Sequence, residues 1–194
     1  GIIIGVCAVI VLVSVVQGST NNITESVESL GANSITVTLT GRNSTKTLEM
    51  DEMEEFQQEN EDLIQYVVPT MSANGTLKYS NSNMTTSVTG STPDYLTVKN
   101  REIAQGRFLN GLDVSGRRRN VVIGSYNAKE LFGFESPIDK QIKINGQIYT
   151  VIGVLEEVSD SERSSEDDVA IISYTAGRTL FKTSRIRSYT VWAA

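Results

Sequence analysis

The 194-residue chain contains no histidine and a single cysteine, Cys7. The lack of histidine excludes the Ser-His-Asp triad, the Cys-His dyad and the zinc motifs that depend on histidine. The chain also lacks a G-x-x-x-x-G-K-[ST] phosphate-binding loop and a G-x-S-x-G nucleophile elbow. These absences predict that the chain is not an enzyme. We therefore assign it no catalytic residue, no metal ligand and no cofactor-binding residue.

Basic residues are fewer than acidic ones, 17 against 23, which gives a net charge of −6. Nucleic-acid binding needs clustered lysine and arginine, so this balance argues against a nucleic-acid partner. The only basic run, Arg117-Arg118-Arg119, is flanked by loop-forming residues, and we interpret it as solvated. Carboxylates that suit Ca²⁺ lie between residues 156 and 168, but they lack EF-hand spacing and its central glycine. We interpret them as a loop; they are Asp160, Glu162, Glu166, Asp167 and Asp168.

The longest apolar stretch is at the start of the chain, where residues 1–16 carry no charge. The polar stretch that follows places Ile23, Val27 and Leu30 on one helical face. A membrane-spanning helix needs about 20 apolar residues, and the chain lacks an initiator Met, so we interpret residues 1–17 as the end of a transmembrane helix. A signal peptide would need a basic n-region and a small-residue cleavage site, which this segment lacks. A buried core strand or helix is the remaining alternative.

The next part of the chain predicts strands around one helix. Residues 35–40 alternate between apolar and β-branched polar residues, which predicts a half-buried strand. The acidic segment that follows predicts a helix, with Asp51 and Glu54 at the spacing of a capping box. The other elements predicted in this half are a strand over residues 63–68 that ends at Pro69, weak strands around Tyr79 and Val88, and a turn at residues 92–94.

The second half contains the strongest local signal in the chain. Asn145-Gly146 lies between two alternating runs, which is typical of a β-hairpin turn with positive φ at both residues. Gly153 is expected at a bulge or a close backbone approach. Arg107 and Asp113 are expected to form a salt bridge, with ligand binding by the pair as a less favoured alternative. The residues predicted to form the apolar faces of the hairpin are Ile142, Ile144, Ile148, Ile152 and Val154.

Four other elements are predicted in this half. Residues 121–124 predict a short buried strand. Ser125 can then cap a helix that Gly133 closes. The last predictions are a strand over residues 169–172, a short helix over 174–182 and a strand over 186–192.

Six segments, in order along the chain, resemble the MacB-type core domain of ABC-transporter permeases. The strongest match is PIDKQIKINGQIYTVIGVL at residues 137–155, with Asp139 where the family usually has glycine. Gly106-Arg107-Phe108 followed by Asp113 is similar to the family's G-R-x-F…D segment. The other matching segments are residues 1–10, 29–33, 121–133 and 169–181.

The resemblance implies an α+β, two-lobed periplasmic core domain that follows a transmembrane helix. A Porter-like α/β lobe would hold the early and late parts of the chain, and a Sabre-like β-rich lobe would be inserted in it. The implied segments are the end of the transmembrane helix at residues 1–17, the first lobe at 18–98 with its stalk helix at 18–30, the β-rich lobe at 99–185, and a return strand of the first lobe at 186–194.

The resemblance implies a non-catalytic function. Members of the family use cytoplasmic ATP hydrolysis to move this domain outside the membrane, a process called mechanotransmission, which drives export or efflux. The implied location is the bacterial inner membrane, with the domain on the extracytoplasmic side. The implied partners are a cytoplasmic ABC ATPase subunit or domain, a second permease copy in a homodimer and, in tripartite systems, a periplasmic or extracellular adaptor.

Two alternatives to this function stay open. The first is an FtsX-like regulatory permease that activates a cell-wall hydrolase or senses an envelope ligand. The second is a secreted or membrane-anchored hydrolase that works through a carboxylate pair, although the sequence places no such pair.

The N-terminal segment generates a first testable prediction. Residues 1–30 should form one continuous helix, because no proline interrupts them and the face made by Ile23, Val27 and Leu30 stays in phase. NMR spectra of the chain in detergent micelles should show helical contacts without a gap across Gly18. A strand-like pattern over residues 1–16, or a break at Gly18, would contradict this prediction.

Overall fold

The computed structural model describes residues 34–38, 49–159, 162–183, 185, 186 and 188–193. The helix predicted for residues 1–30 lies outside these ranges. Among the described residues, no helix is long and apolar enough to cross a membrane.

The described residues form nine strands and five helices. The strands are β1 (Ser34–Thr38), β2 (Ile64–Tyr79), β3 (Ser82–Ser91), β4 (Ile103–Gly106), β5 (Asn120–Ile123), β6 (Gln141–Ile144), β7 (Gln147–Leu155), β8 (Val169–Ser173) and β9 (Ser188–Ala193). The helices are α1 (Met50–Glu59), α2 (Tyr95–Val98), α3 (Gly111–Ser115), α4 (Ser125–Phe132) and α5 (Tyr174–Leu180).

The strands are hydrogen-bonded in the order β1-β9-β2-β3-β8-β5-β7-β4, and β6 pairs with both β2 and β7. The β3–β8 and β5–β7 pairs are parallel, whereas β2 pairs with β3, β6 and β9 in the antiparallel sense. Helices connect several of these strands, so the architecture is α+β. The lobe boundaries at residues 98/99 and 185/186 stay a prediction.

Strand β2 is 16 residues long and does not end at Pro69, as the sequence predicted. Its first part, up to Thr70, pairs with β9, and its second part, from Met71, pairs with β3. Pro69 therefore lies beside the point where the strand changes partner. Its missing N–H falls near the end of one ladder and before the start of the next, which is where a strand tolerates proline. The Pro69 carbonyl accepts a hydrogen bond from the Ser91 hydroxyl at 3.0 Å.

Buried side chains form three apolar clusters, two of which lie on opposite faces of β5, β7 and β8. On β5, Val121 and Ile123 face one cluster and Val122 faces the other. This alternation is expected for strands that are covered on both sides. The third cluster lies under α1 and includes β2 residues on both sides of Pro69; its members are Met50, Met53, Val67, Met71, Ile186 and Tyr189.

The Asn145-Gly146 hairpin is confirmed. Asn145 has φ +48° and Gly146 has φ +83°, as the turn type requires. The side-chain oxygen of Asn145 also accepts a hydrogen bond from the Thr76 backbone N–H at 2.9 Å, which ties the turn to β2. Asp139, which replaces the glycine of the family pattern, has φ +64°, so this turn keeps the left-handed conformation without glycine.

The hairpin faces are as predicted except at Ile148. Four of the five predicted apolar residues are no more than 9% exposed, but Ile148 is 48% exposed. Ile148 is paired with Lys143, whereas Ile142 is paired with the buried Tyr149. Because side chains alternate across a strand, Ile148 shares the outer face with Lys143.

Strand β1 was expected to be half-buried, and this was wrong for its described residues. Ile35 is 69% exposed and Val37 is 38% exposed. The strand lies at one end of the sheet, beside β9. Alternation alone does not say which end of a sheet a strand occupies, so it could not predict this exposure.

The N-terminal caps of α1 and α4 lie earlier in the chain than the sequence predicted, by two positions for α1 and by one for α4. Helix α1 begins at Met50, and the return bond of its capping box joins the Glu49 backbone N–H to the Glu52 carboxylate at 2.9 Å, so the box does not involve Asp51 and Glu54. Helix α4 is capped by Gly124, not Ser125. A Cβ at Gly124 would lie 2.0 Å from the Asp167 carbonyl oxygen, so close packing excludes a side chain there.

The Gly146 turn provides a test of the hairpin. A Cβ at Gly146 would meet no atom within 4 Å, so a substitution there strains only the backbone. Gly146→Val should destabilise the protein by roughly 1–2 kcal/mol, because a β-branched residue at positive φ is strained. Gly146→Asn is the matched control and should cost less, since asparagine tolerates this conformation. Thermal melts of both variants measure the difference, and equal melting temperatures would contradict the assigned turn.

Candidate functional site

The predicted salt bridge between Arg107 and Asp113 is present. Arg107 Nη1 lies 2.7 Å from Asp113 Oδ2, and Nη2 lies 3.3 Å from Oδ1. The Asp113 residue is fully buried, while the Arg107 side chain is 45% exposed. A fork-shaped guanidinium that contacts both carboxylate oxygens fixes the geometry of the pair as well as its charge.

Further hydrogen bonds complete the surroundings of the Asp113 carboxylate. The Asn110 backbone N–H donates to Oδ2 at 3.0 Å, and the Asn120 side-chain amide donates to Oδ1 at 2.8 Å. In return, the Asn110 side chain accepts from the Asp113 backbone N–H at 3.0 Å, which forms a capping box at the start of α3. The cluster therefore joins the segment after β4, helix α3 and strand β5.

The hydrogen bonds of the cluster favour the ionised forms of both Asp113 and Arg107. Burial by itself raises the pKa of Asp113, but the hydrogen bonds from Arg107, Asn110 and Asn120 outweigh burial and hold the pKa below its usual range. The hydrogen bond to Asp113 raises the pKa of Arg107. Neither group changes protonation near neutral pH, so this pair is not suited to acid–base catalysis.

Gly153 makes the close backbone approach that the sequence predicted. A Cβ at this position would lie 2.3 Å from the Arg107 carbonyl oxygen. The β5–β7 register also shifts here, because Val121 is paired with Val151 and Val122 with Gly153. Gly153 therefore allows the segment that carries Arg107 to lie directly against β7.

A second salt bridge, between Arg101 and Asp167, was not predicted. Arg101 Nη2 lies 3.0 Å from Asp167 Oδ1, and the side chains are 7% and 0% exposed. Arg101 also donates to the carbonyl oxygens of Glu156 and Glu166, each at 3.2 Å. Arg101 thus connects both ends of the loop between β7 and β8. The partners are 66 positions apart, and no local sequence pattern indicates such a pair.

The acidic loop uses its described buried carboxylates to hold the backbone. Asp167 accepts from the backbone N–H groups of Val158 and Ser159, and Asp168 accepts from that of Ser164. Asp160 lies outside the described residues. Within the described ranges, no group of three or more His, Cys, Asp or Glu residues is placed to hold a metal ion.

Three tyrosines that are wholly or partly buried have raised pKa values. Burial raises the pKa of Tyr95, Tyr149 and Tyr189, so these phenols stay protonated near neutral pH. The charged clusters described above brace loops and strand ends. The geometry therefore indicates a structural scaffold with fixed charges.

Comparisons with known proteins agree with this description. The model of a family described as the MacB-like periplasmic core domain matches residues 1–194. The chain is 30% identical over 183 residues to the macrolide export ATP-binding/permease protein MacB of Vibrio parahaemolyticus. The aligned region covers 90% of this chain and 27% of the relative. It is 32% identical over 180 residues to the protein of the same name from a Shewanella species, covering 90% and 28%.

Solved structures share the fold. The periplasmic region of MacB from Actinobacillus actinomycetemcomitans is similar with a TM-score of 0.73 at 25% identity, covering 89% of this chain and 80% of that one. The extracellular domain of the noncanonic ABC-type transporter YknZ from Gram-positive bacteria gives a TM-score of 0.69 at 21% identity, covering 83% of each chain. The latter likeness concerns the fold alone.

The fold and the matches together define an extracytoplasmic core domain of an ABC-transporter permease. The chain belongs to the MacB-like periplasmic core domain family. It spans less than a third of the length of the curated relatives, between 27% and 31% in three of them.

The Asp113 cluster predicts a specific pH dependence. A carboxyl whose pKa is lower in the folded state stabilises the fold above its unfolded pKa of about 4, and this contribution is lost as the pH falls below that value. Asp113→Asn should therefore lower the free energy of unfolding by about 1–3 kcal/mol at pH 7. The difference from the unsubstituted chain should shrink below about pH 4.

Denaturant titrations at several pH values measure this difference. Glu135→Gln is the control, because Glu135 forms an exposed salt bridge with Lys140 and such pairs contribute little. A loss in Asp113→Asn that is independent of pH would contradict the charge-based account.

Proposed function

We propose that this chain is a non-catalytic extracytoplasmic domain of an ABC-transporter permease subunit, and that it couples cytoplasmic ATP hydrolysis to movement outside the membrane. This movement, called mechanotransmission, would drive export or efflux. The partners are an ABC ATPase subunit or domain, a second permease copy and, in a tripartite system, an adaptor. The domain would lie on the extracytoplasmic side of a bacterial inner membrane.

The observation that carries the proposal is the continuity of strand β2. Its 16 residues have a length of roughly 50 Å at about 3.3 Å per residue. Val67 in the first part and Met71 at the start of the second part belong to the cluster under α1, and Leu77, further along the second part, belongs to the cluster under α4. An element that is packed in two cores and hydrogen-bonded along its length can transmit displacement between them.

The charged clusters support the same function. Arg101 and Arg107 brace the segments before and after β4, and their partners Asp167 and Asp113 are fully buried. Breaking a buried pair is costly, since it leaves an unpaired charge inside the protein. Such bracing suits a part that moves as a unit.

Two paired glycine variants test the role of β2. Thr70→Gly/Ser72→Gly loosens the strand where it changes partner, and both residues are at least partly exposed. Thr76→Gly/Lys78→Gly is the matched control, with the same backbone cost of roughly 0.5–1 kcal/mol per glycine. In the complete transporter, the Thr70→Gly/Ser72→Gly variant should transport less substrate per ATP hydrolysed than the Thr76→Gly/Lys78→Gly control.

The outcome also separates the alternatives. Equal transport per ATP in the two variants would contradict the proposed mechanical role of the β2 junction. Normal transport with loss of a dependent cell-wall hydrolase activity would favour an FtsX-like regulatory permease. The melting temperatures of both variants must be compared, so that a general loss of stability is not taken for uncoupling.

A further inference from the structure

A polar groove lies where strand β8 separates from β3. The two strands pair from Ser87 onwards, but residues 85 and 86 of β3 have no partner in β8. The loop before β8 diverges here and leaves a groove with a volume of ≈380 Å³. All eight residues that line this groove are polar, which is unusual because small-molecule pockets are mostly apolar. An apolar ligand would therefore not suit it.

The groove contains a buried carboxylate with one unused oxygen. Asp168 is only 7% exposed, and its Oδ2 accepts a hydrogen bond from the Ser164 backbone N–H at 2.9 Å. Its Oδ1 is buried and has no hydrogen-bond partner within the described ranges. Buried polar atoms are nearly always satisfied, so this oxygen indicates a missing donor.

A second unused acceptor lies behind the groove wall. The amide nitrogen of the buried Asn127 donates to the hydroxyl of Thr86, a groove residue, at 3.2 Å and to the Val169 carbonyl at 2.9 Å. The Val169 carbonyl can only accept, so the amide cannot be reversed. The Asn127 Oδ1 is therefore left without a donor among the described residues.

The charges of the groove restrict what can occupy it. Arg163 lines the same groove as Asp168, and its side chain has no described ion pair. Arg163 attracts anions and repels cations, and Asp168 does the reverse, so neither sign of net charge is favoured by both residues. A suitable ligand is therefore uncharged overall and supplies several hydrogen-bond donors, while also accepting from Arg163 and Asn74.

We infer that this groove binds a small polyol, namely a sugar unit, through Asp168 and Arg163. Each hydroxyl of a sugar both donates and accepts, which meets the two kinds of polar group that the groove presents. The ≈380 Å³ volume falls within the lower range of ligand pockets, about 300–1,000 Å³. This inference does not rest on the proposed transport coupling.

NMR titration of the purified 194-residue chain in detergent tests the inference. D-glucose should shift backbone signals at residues 85–87 and 163–165 and leave those of β9 unchanged. Arg163→Gln and Asp168→Asn should each weaken glucose binding by about tenfold or more, because each removes a hydrogen bond to a charged group. Lys78→Gln, on the exposed surface outside the groove, is the control and should bind as the unsubstituted chain does.

Glycine and inorganic phosphate serve as comparison ligands. Shifts of the groove signals by glycine or phosphate, without shifts by glucose, would overturn the assignment to a polyol. The absence of any glucose shift would overturn it too, and would indicate that ordered water fills the groove. Arg163 is exposed, so Arg163→Gln should fold normally and remains decisive if Asp168→Asn does not.

Discussion

The hydrogen-bond ladders of strand β2 are the interaction on which the rest of the described structure depends. This strand pairs with β9 over its first part, with β3 over its second part, and with β6 at Leu77 and Lys78. Without it, the cluster under α1 and the cluster under α4 would share no strand. Strand β2 therefore joins the two cores through one continuous backbone, and Phe181 also packs against both clusters.

The two buried salt bridges have a different role from β2, because they attach loops to the sheet. Arg107 and Asp113 fix the segment after β4 against β5, and Gly153 lets that segment lie on β7. Arg101 and Asp167 close the loop between β7 and β8. The charges of Arg107, Asp113, Arg101 and Asp167 are therefore paired within the domain. Among the described residues, four buried side-chain atoms lack a hydrogen-bond partner; they are Arg101 Nε, Asn127 Oδ1, Gln147 Oε1 and, in the polar groove, Asp168 Oδ1.

Local features of this fold could be predicted from the sequence, and features that depend on distant partners could not. The Asn145-Gly146 turn and the pairing of Arg107 with Asp113 involve residues at most six positions apart, so their patterns are visible in the chain. The pairing of Arg101 with Asp167 spans 66 positions. The predicted strand end at Pro69 is wrong, because the change of partner from β9 to β3 is a property of the tertiary fold that the local sequence does not show.

Amide hydrogen exchange along β2, measured at increasing denaturant concentration, tests the mechanical account most directly. The account predicts that protected amides on the two sides of Pro69 open together, with the same free energy and the same denaturant dependence, because they belong to one cooperative unit. If the amides paired with β9 open at a clearly lower free energy than those paired with β3, the two cores are not rigidly joined. That result would contradict the claim that β2 transmits movement through the domain.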